Sequence, residues 1–312
     1  MSGIDALMRD YSGDVPGASI LVVREGKIVA QKSYGIANLE EHIAAAPDTD
    51  YRLASMTKQF TAASVLLTGV PLDDPITKYL PEMPAYAKAI TIRHLLTHTS
   101  GLLDYEDLIR PDMKVQLHDM DVLQLLSKTD RTYFPPGTSY RYSNTGYAFL
   151  ALIVQRVSGM RFADFLREKI FKPAGMNASV AFEQGISTVP HRAYGYSRDG
   201  SWHRTDQSLT SAVLGDGGIY TSTDDMVHWI AWLESGRFDE QLVPRTHTDD
   251  PNVQYGYGWR ISPGYVWHTG ETIGFRNAIV RFPAQHLAVV VLTNRNEGHP
   301  YDIALKIAEI VR

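Results

Sequence analysis

The tetrapeptide Ser55-Met56-Thr57-Lys58 sets a hydroxyl and an amine three residues apart. On a helix such side chains share one face, so the amine can reach the hydroxyl. A serine hydroxyl becomes a useful nucleophile when a neighbouring base takes its hydrogen. A lysine can be that base once burial or nearby positive charge favours its neutral form. Phe60, Ala62, Ala63 and Leu66 make the segment apolar enough for burial. With 20 serines and 10 lysines in 312 residues, roughly 0.6 pairs at this spacing arise by chance, so the tetrapeptide alone does not define a site.

Other chemistries fall away by residue type and spacing. The chain has no cysteine, which removes thiolate nucleophiles, disulfides, iron–sulfur clusters and Cys-ligated zinc. Gly195-Tyr196-Ser197-Arg198-Asp199 lacks the second glycine of a nucleophile elbow. His94 and His98 stand at i,i+4 without the glutamate of a zinc-protease helix, and read as structural histidines, one at a helix end and one in a loop. Gly215-Asp216-Gly217-Gly218 is not followed by Lys-Ser/Thr, so it reads as a tight turn of close backbone approach, not a phosphate loop. Trp229 and Trp232 read as helix packing.

The elements that must position Ser55 and Lys58 follow from periodicity. Ile4, Leu7, Met8 and Tyr11 recur at helical spacing, while Ala18–Val23 and Ile28–Ile36 are strand-like and joined by Arg24-Glu25-Gly26-Lys27. Helices are expected over Ser55–Leu67, Ile92–Thr97 (capped by Thr91), Asp121–Ser127, Tyr147–Val157 and Phe162–Phe171. Another, Met226–Leu233, follows Ser222-Thr-Asp-Asp. The stretch from Pro173 to Ser211 reads as long loops or minor strands. Strands return at Tyr257–Ile261, Tyr265–His268, Arg276–Phe282 and Leu287–Thr293, before a last helix over Tyr301–Val311. This order predicts an α+β fold: an antiparallel sheet built from both termini with flanking helices, plus an inserted, mainly helical lobe. The expected division within one unit is a sheet lobe over about 1–53 and 212–312 and a helical lobe over about 54–211.

The length and a 44% apolar composition suffice for a large core without disulfides or metals. Acidic residues outnumber basic ones 35 to 30 and no basic run exceeds two residues, which argues against nucleic acid or an anionic membrane surface as partner. Apolar runs such as Phe149–Val154 and Leu287–Leu292 are too short to span a bilayer. The first residues lack the basic start and apolar stretch of a secretion signal, which points to the cytoplasm unless an exported form has been trimmed. No cofactor or metal is implied, and nothing sets the oligomeric state.

Two further segments give Ser55-x-x-Lys58 its companions. Tyr142-Ser143-Asn144 begins 87 residues after Ser55, and His268-Thr269-Gly270 begins 126 after Tyr142. The order S-x-x-K, Y-x-N, then a basic or polar residue before Thr-Gly resembles the serine β-lactamase and penicillin-binding protein superfamily. It is most similar to the class C β-lactamase, D-aminopeptidase and esterase branch. Val15-Pro-Gly-Ala-Ser19, Leu72-Asp-Asp-Pro-Ile76, Thr91 to Leu102, Pro135-Pro-Gly137 and Gly270 to Phe275 carry the likeness over most of the chain.

The resemblance implies a β-lactamase/transpeptidase-like fold in which Ser55 attacks a carbonyl to form an acyl-enzyme, with Lys58 and Tyr142 sharing the proton transfers as a coupled pair. It implies that Asn144 bonds an acyl-side amide of the substrate and helps hold Lys58. The backbone N–H groups of Ser55 and Glu271 would form the oxyanion hole, and Gly270 would keep the approach open. The plainer alternatives are that Asn144 caps a helix, that Tyr142 is a core tyrosine and that Thr269 and Gly270 are ordinary strand residues.

His268 stands where β-lactamases and most DD-peptidases carry lysine. A histidine is mostly neutral at pH 7, and Glu271 close by would repel a carboxylate. The site is therefore expected to bind carboxylates, and so penicillins, poorly, and to favour neutral esters, amides or peptides with a free amine; Arg276 is the residue that could restore carboxylate binding. The connection Leu66–Pro71 is about four residues shorter than the family pattern, roughly one helical turn, so the helix should stop near Thr68-Gly69. The expected function is a serine hydrolase, an esterase or peptidase/amidase with weak β-lactamase activity acting on a small-molecule ester, amide or peptide. A class C-like β-lactamase or DD-carboxypeptidase is the alternative, and a non-catalytic penicillin-binding or scaffold protein is the third.

Overall fold

In the computed structural model, which describes residues 2–312, the long strands form one eight-stranded sheet. Ala18–Arg24 (β1) and Lys27–Tyr34 (β2) come from the N-terminal part. Thr246–His247 (β3), Gln254–Tyr255 (β4), Arg260–Ser262 (β5), Tyr265–Thr272 (β6), Phe275–Phe282 (β7) and Leu287–Thr293 (β8) come from the C-terminal part. Across the sheet the order is β3-β4-β5-β6-β7-β8-β1-β2, every neighbouring pair antiparallel. Pairing of β8 with β1, Ala18 opposite Thr293 and Arg24 opposite Leu287, joins the two ends of the chain. The α+β architecture expected from the strand–helix–strand order is the one found.

The intervening chain supplies Lys58–Thr68 (α1), Asn144–Ser158 (α2) and Thr223–Glu234 (α3), and Pro300–Val311 (α4) ends it. Side chains alternate across the pleat, so the sheet has a core on each face. Leu21 and Val23 of β1 join the core shared with α1, α2 and α3, whereas Ile20 and Val22 join one closed by Ile4, Met8 and Ile307. β8 is buried along its whole length, which is why Leu287–Leu292 reads as a continuous apolar run instead of an alternation. Among the described residues no helix is long and apolar enough to cross a membrane.

Several elements differ from the periodicity reading for identifiable reasons. Ser55 precedes α1, in a 3₁₀ turn over Ala54–Thr57 tightened by the Met56 N–H bond to the Leu53 carbonyl. Of the strand expected over Tyr257–Ile261 only Arg260 and Ile261 are extended, in β5, while Tyr257–Trp259 lie in the break between β4 and β5. At that break Gly258, φ 77°, runs so close to α1 that a Cβ would lie 2.6 Å from the Lys58 carbonyl oxygen. The helix at Phe162 loosens into a π turn at Arg167–Phe171. α1 stops as the short connection requires, with Gly69 at φ 68° closing it.

Candidate active site

A small second sheet carries Ser55. Tyr51–Arg52 pairs with Ile219–Thr221, which pairs in turn with Val180–Ala181. Ala54 then takes φ 50°, a left-handed conformation that costs a non-glycine residue about 1–2 kcal/mol, and the chain turns into the Ser55 segment. β6 seats against this turn. A Cβ on Gly270 would lie 1.9 Å from the Leu53 carbonyl oxygen and 3.2 Å from the Met56 nitrogen. The glycine is thus required by the contact between strand and turn, a nearer constraint than the substrate clearance expected for it.

Lys58 is fully buried, with Nζ 3.0 Å from Ser55 Oγ, 2.8 Å from Asn144 Oδ1 and 2.9 Å from the Asp216 carbonyl oxygen. The amide oxygen and the carbonyl can only accept, so they orient two N–H bonds of the amine. The remaining position faces Ser55 Oγ, as a third N–H in the ammonium or as a lone pair in the neutral amine. The amine is thereby aimed along the Ser55–Lys58 axis. Asn144 is oriented for this task, because its Nδ2 donates to Glu106 Oε1 at 2.9 Å. The helix cap is Ser143, whose Oγ accepts from the Gly146 N–H at 3.2 Å, and Asn144 is the first residue of α2.

The Tyr142 ring lies beside this pair, its centroid 4.9 Å from Lys58 Nζ. His268 is buried, Nδ1 within 2.6 Å of the Thr269 carbonyl oxygen and Nε2 3.1 Å from the Tyr255 hydroxyl. A carbonyl can only accept, so Nδ1 carries the hydrogen and Nε2 accepts from Tyr255. Burial first, then the positive charges of Arg260 and Lys58, hold the His268 pKa down to about 3, and the ring is neutral across the working range. Both nitrogens are engaged with protein groups. The neutral ring sits beside Tyr142, 6.3 Å between ring centres. Thr269 is half-buried on β6, opposite Ala278.

Glu271 and Arg276 face each other across the β6–β7 ladder and form an ion pair at 3.3 Å. Arg276 Nη1 also donates to the Thr272 and Phe275 carbonyls at 2.9 and 3.0 Å. The two opposite charges therefore partly cancel, and the Arg276 guanidinium is bonded within its own hairpin.

The fold adds residues that spacing did not reveal. A narrow cleft at Ser55 is lined by Arg52, Glu106, Asn144, Thr210, Asp216 and Glu271, among others. Tyr105, Glu106 and Thr210 reach it from the Leu103–Leu117 and Gly185–Ser211 segments, which are joined by the Leu117 N–H to the Leu209 carbonyl at 2.8 Å and Gln116 Nε2 to the Ser208 carbonyl at 2.9 Å. Gly215-Asp216-Gly217-Gly218 is indeed a place of close approach, since a Cβ on Gly215 would lie 2.3 Å from the Tyr147 carbonyl oxygen. It also delivers the carbonyl that holds Lys58. Burial pushes the Asp216 carboxyl up to about 7, against the opposing pull of Lys58, and Tyr105 donates to it at 2.8 Å. Asp119 anchors the same turn by accepting from the Leu214 and Gly215 N–H groups, both at 3.0 Å. Arg260 stands near Tyr142, its guanidinium 5.6 Å from the ring centre. The structural readings of His94 and Trp229 hold: His94 Nδ1 accepts from the Thr91 N–H at 3.1 Å in a capping box, and Trp229 stacks on Phe60 at 4.2 Å.

Comparison with known proteins places this geometry in context. Residues 4–310 match the family described as Beta-lactamase. Penicillin-binding protein 4* of Bacillus subtilis (strain 168) is 30% identical over 93% of this chain and 71% of its own length. The chain spans 61% of the length of other curated relatives, so those proteins carry sequence beyond the shared part. Among solved structures, the penicillin-binding protein from Bacillus halodurans superposes with a TM-score of 0.85 at 30% identity, covering 98% of both chains. A class C β-lactamase shares the fold at a TM-score of 0.83 and 20% identity, covering 100% of this chain and 96% of its own.

Proposed function

Since the chain belongs to the Beta-lactamase family, whose model spans residues 4–310, we propose that it is a serine hydrolase acting through an acyl-enzyme on Ser55. The observation that carries this reading is the Lys58 amine, held by two obligate acceptors with its third position 3.0 Å from Ser55 Oγ. In the proposed cycle the Ser55 hydrogen passes to the Lys58–Tyr142 pair as Oγ bonds to the substrate carbonyl carbon. The carbonyl oxygen takes up the negative charge and is met by the N–H groups of Ser55 and Glu271. The pair then returns the proton to the departing alcohol or amine. Water then bonds to the acyl carbon as it gives a proton to the same pair; the Oγ–C bond breaks, the pair returns that proton to Ser55 Oγ, and the acid leaves.

The substrate class we infer is an ester, amide or short peptide, with β-lactams turned over weakly. Glu106 and Glu271 line the Ser55 cleft, and His268 contributes no positive charge at the position where a lysine would. A substrate with a free amine near the scissile carbonyl suits that environment. Arg260 beside Tyr142 favours a second reading, in which a carboxylate on the leaving-group side is recognised, as a DD-carboxypeptidase requires.

The test compares a chromogenic cephalosporin, a 4-nitrophenyl ester, and amino-acid 4-nitroanilides with free and acetylated amines. Faster turnover of the ester and of the free-amine anilides supports the leading reading. A cephalosporin preference that Arg260→Ala removes supports the second. Mass spectrometry after a fluorophosphonate should find an adduct on Ser55 that Ser55→Ala abolishes; no adduct with either a fluorophosphonate or a penicillin would leave the scaffold reading standing.

A further inference from the structure

We propose that His98 is a positioning residue for Tyr142, holding the phenol in place beside Ser55 and Lys58; this rests on the acyl-enzyme reading above. His98 is buried and adopts φ 58°. From that left-handed conformation it grips the Tyr142 segment on both sides. Its carbonyl accepts from the Arg141 N–H at 2.9 Å, and its Nδ1 accepts from the Ser143 N–H at 3.0 Å. The imidazole lies 4.4 Å from the Tyr142 ring, centre to centre, with 35° between the planes. Tyr147 at 5.1 Å and Tyr255 at 4.6 Å fix the imidazole in turn. Tyr142 is therefore bracketed along the backbone by two hydrogen bonds from one residue and backed by that residue's ring.

Three demands meet at this position. The backbone is left-handed, which histidine and asparagine tolerate better than most residues. An acceptor must stand where Nδ1 is. A flat ring must back Tyr142. The Nδ1 that accepts carries no hydrogen, so the neutral ring bears it on Nε2, which is buried without a partner among the described residues. Protonation would set a hydrogen at Nδ1 against the Ser143 N–H and open the clasp. Burial first, and then the positive charges of Lys58 and Arg260, keep the His98 pKa well below its ordinary value; the neutral His268 and Tyr140, Tyr142, Tyr147 and Tyr255 are its other titratable neighbours.

His98→Phe keeps a ring but points a C–H at the Ser143 N–H. His98→Asn keeps the acceptor and tolerates the backbone but loses the ring. Both are made in the wild type and in Tyr142→Phe. The readouts are the second-order rate of Ser55 labelling by a fluorophosphonate, kcat and KM for 4-nitrophenyl butyrate, and a thermal melt confirming folded protein. We expect Tyr142→Phe to slow labelling about 10²-fold, as loss of a proton-transfer group does. His98→Phe should slow it about 10-fold or more with KM within about twofold, and His98→Asn, which restores the acceptor but not the ring, should recover part of the loss. In the Tyr142→Phe background His98→Phe should cost less than about twofold further, because both changes act on one group.

An undiminished cost of His98→Phe in the Tyr142→Phe background overturns the proposal, since the histidine would then act on something else. So does wild-type labelling by His98→Phe. If His98→Phe does not fold, His98→Ala in the two backgrounds makes the same comparison. No labelling of the wild-type protein overturns the acyl-enzyme reading and this inference with it, an outcome distinct from labelling that is normal in the wild type and insensitive to His98.

Discussion

Replacing Gly270 by alanine separates activity from stability at a defined contact. The added Cβ would lie 1.9 Å from the Leu53 carbonyl oxygen, where real Cβ contacts stay above 3.0 Å, so β6 and the Ser55 turn must part by at least about 1.1 Å. Neither side yields easily. β6 is laddered to β7 from Val266 to Thr272, and the turn is tied to the small sheet by the Leu53 N–H bond to the Ile219 carbonyl at 2.8 Å. Overpacking of this kind costs about 1–3 kcal/mol, a fall in Tm of roughly 1.5–5 °C for a chain of this length. Activity should suffer more. The displaced strand carries Glu271, whose N–H is assigned to the proposed oxyanion hole, and a misplacement of about 1 Å costs about 10²-fold in rate. The assay pairs a thermal melt with fluorophosphonate labelling and ester turnover at a temperature where Gly270→Ala is fully folded. Labelling within about threefold of wild type would refute the claim that this strand-to-turn contact sets the site.

Two further outcomes follow from buried carboxyls. Asp119→Ala leaves the Leu214 and Gly215 N–H groups without their acceptor, which should cost about 2 kcal/mol or more, while Asp119→Asn keeps one acceptor and should cost less; denaturant unfolding checks both. Asp50 is fully buried and burial raises its carboxyl pKa from 3.8 to about 7. Between those values the folded state binds more protons than the unfolded one, so this group's contribution to stability falls as pH rises through the window and levels off above it. Asp50→Asn should therefore gain stability relative to wild type from about pH 4 to about pH 7, read as diverging unfolding midpoints; parallel pH profiles for the two proteins would contradict the raised pKa.

Much of the site's chemistry was readable from local sequence. Ser55 and Lys58 meet because three-residue spacing in a helical turn brings side chains together whatever the rest of the chain does, and they lie 3.0 Å apart even though the turn is 3₁₀. The two-residue and helical periodicities located the sheet and the main helices, since they record which side of an element is buried. The reading failed where a backbone had to come close to another backbone, as at Gly258 and Gly270, because a glycine in sequence does not say what it approaches.

What the sequence alone determined is the set of candidate groups and the short-range geometry that pairs them: a hydroxyl with an amine one turn on, a tyrosine and an asparagine separated by one residue, and a histidine in place of a permanent cation. Tertiary structure decided which groups complete that set. Asn144 and the Asp216 carbonyl reach Lys58 from 86 and 158 residues away, and Glu106 orients Asn144 from 38 residues away. Packing also turned Glu271 toward Arg276 and closed His268 behind Tyr142. The reason is physical: a side chain's chemistry and the period of its helix or strand are local properties. The direction of an amine's third bond, or the solvent left around an imidazole, depends on segments that meet only when the whole chain folds.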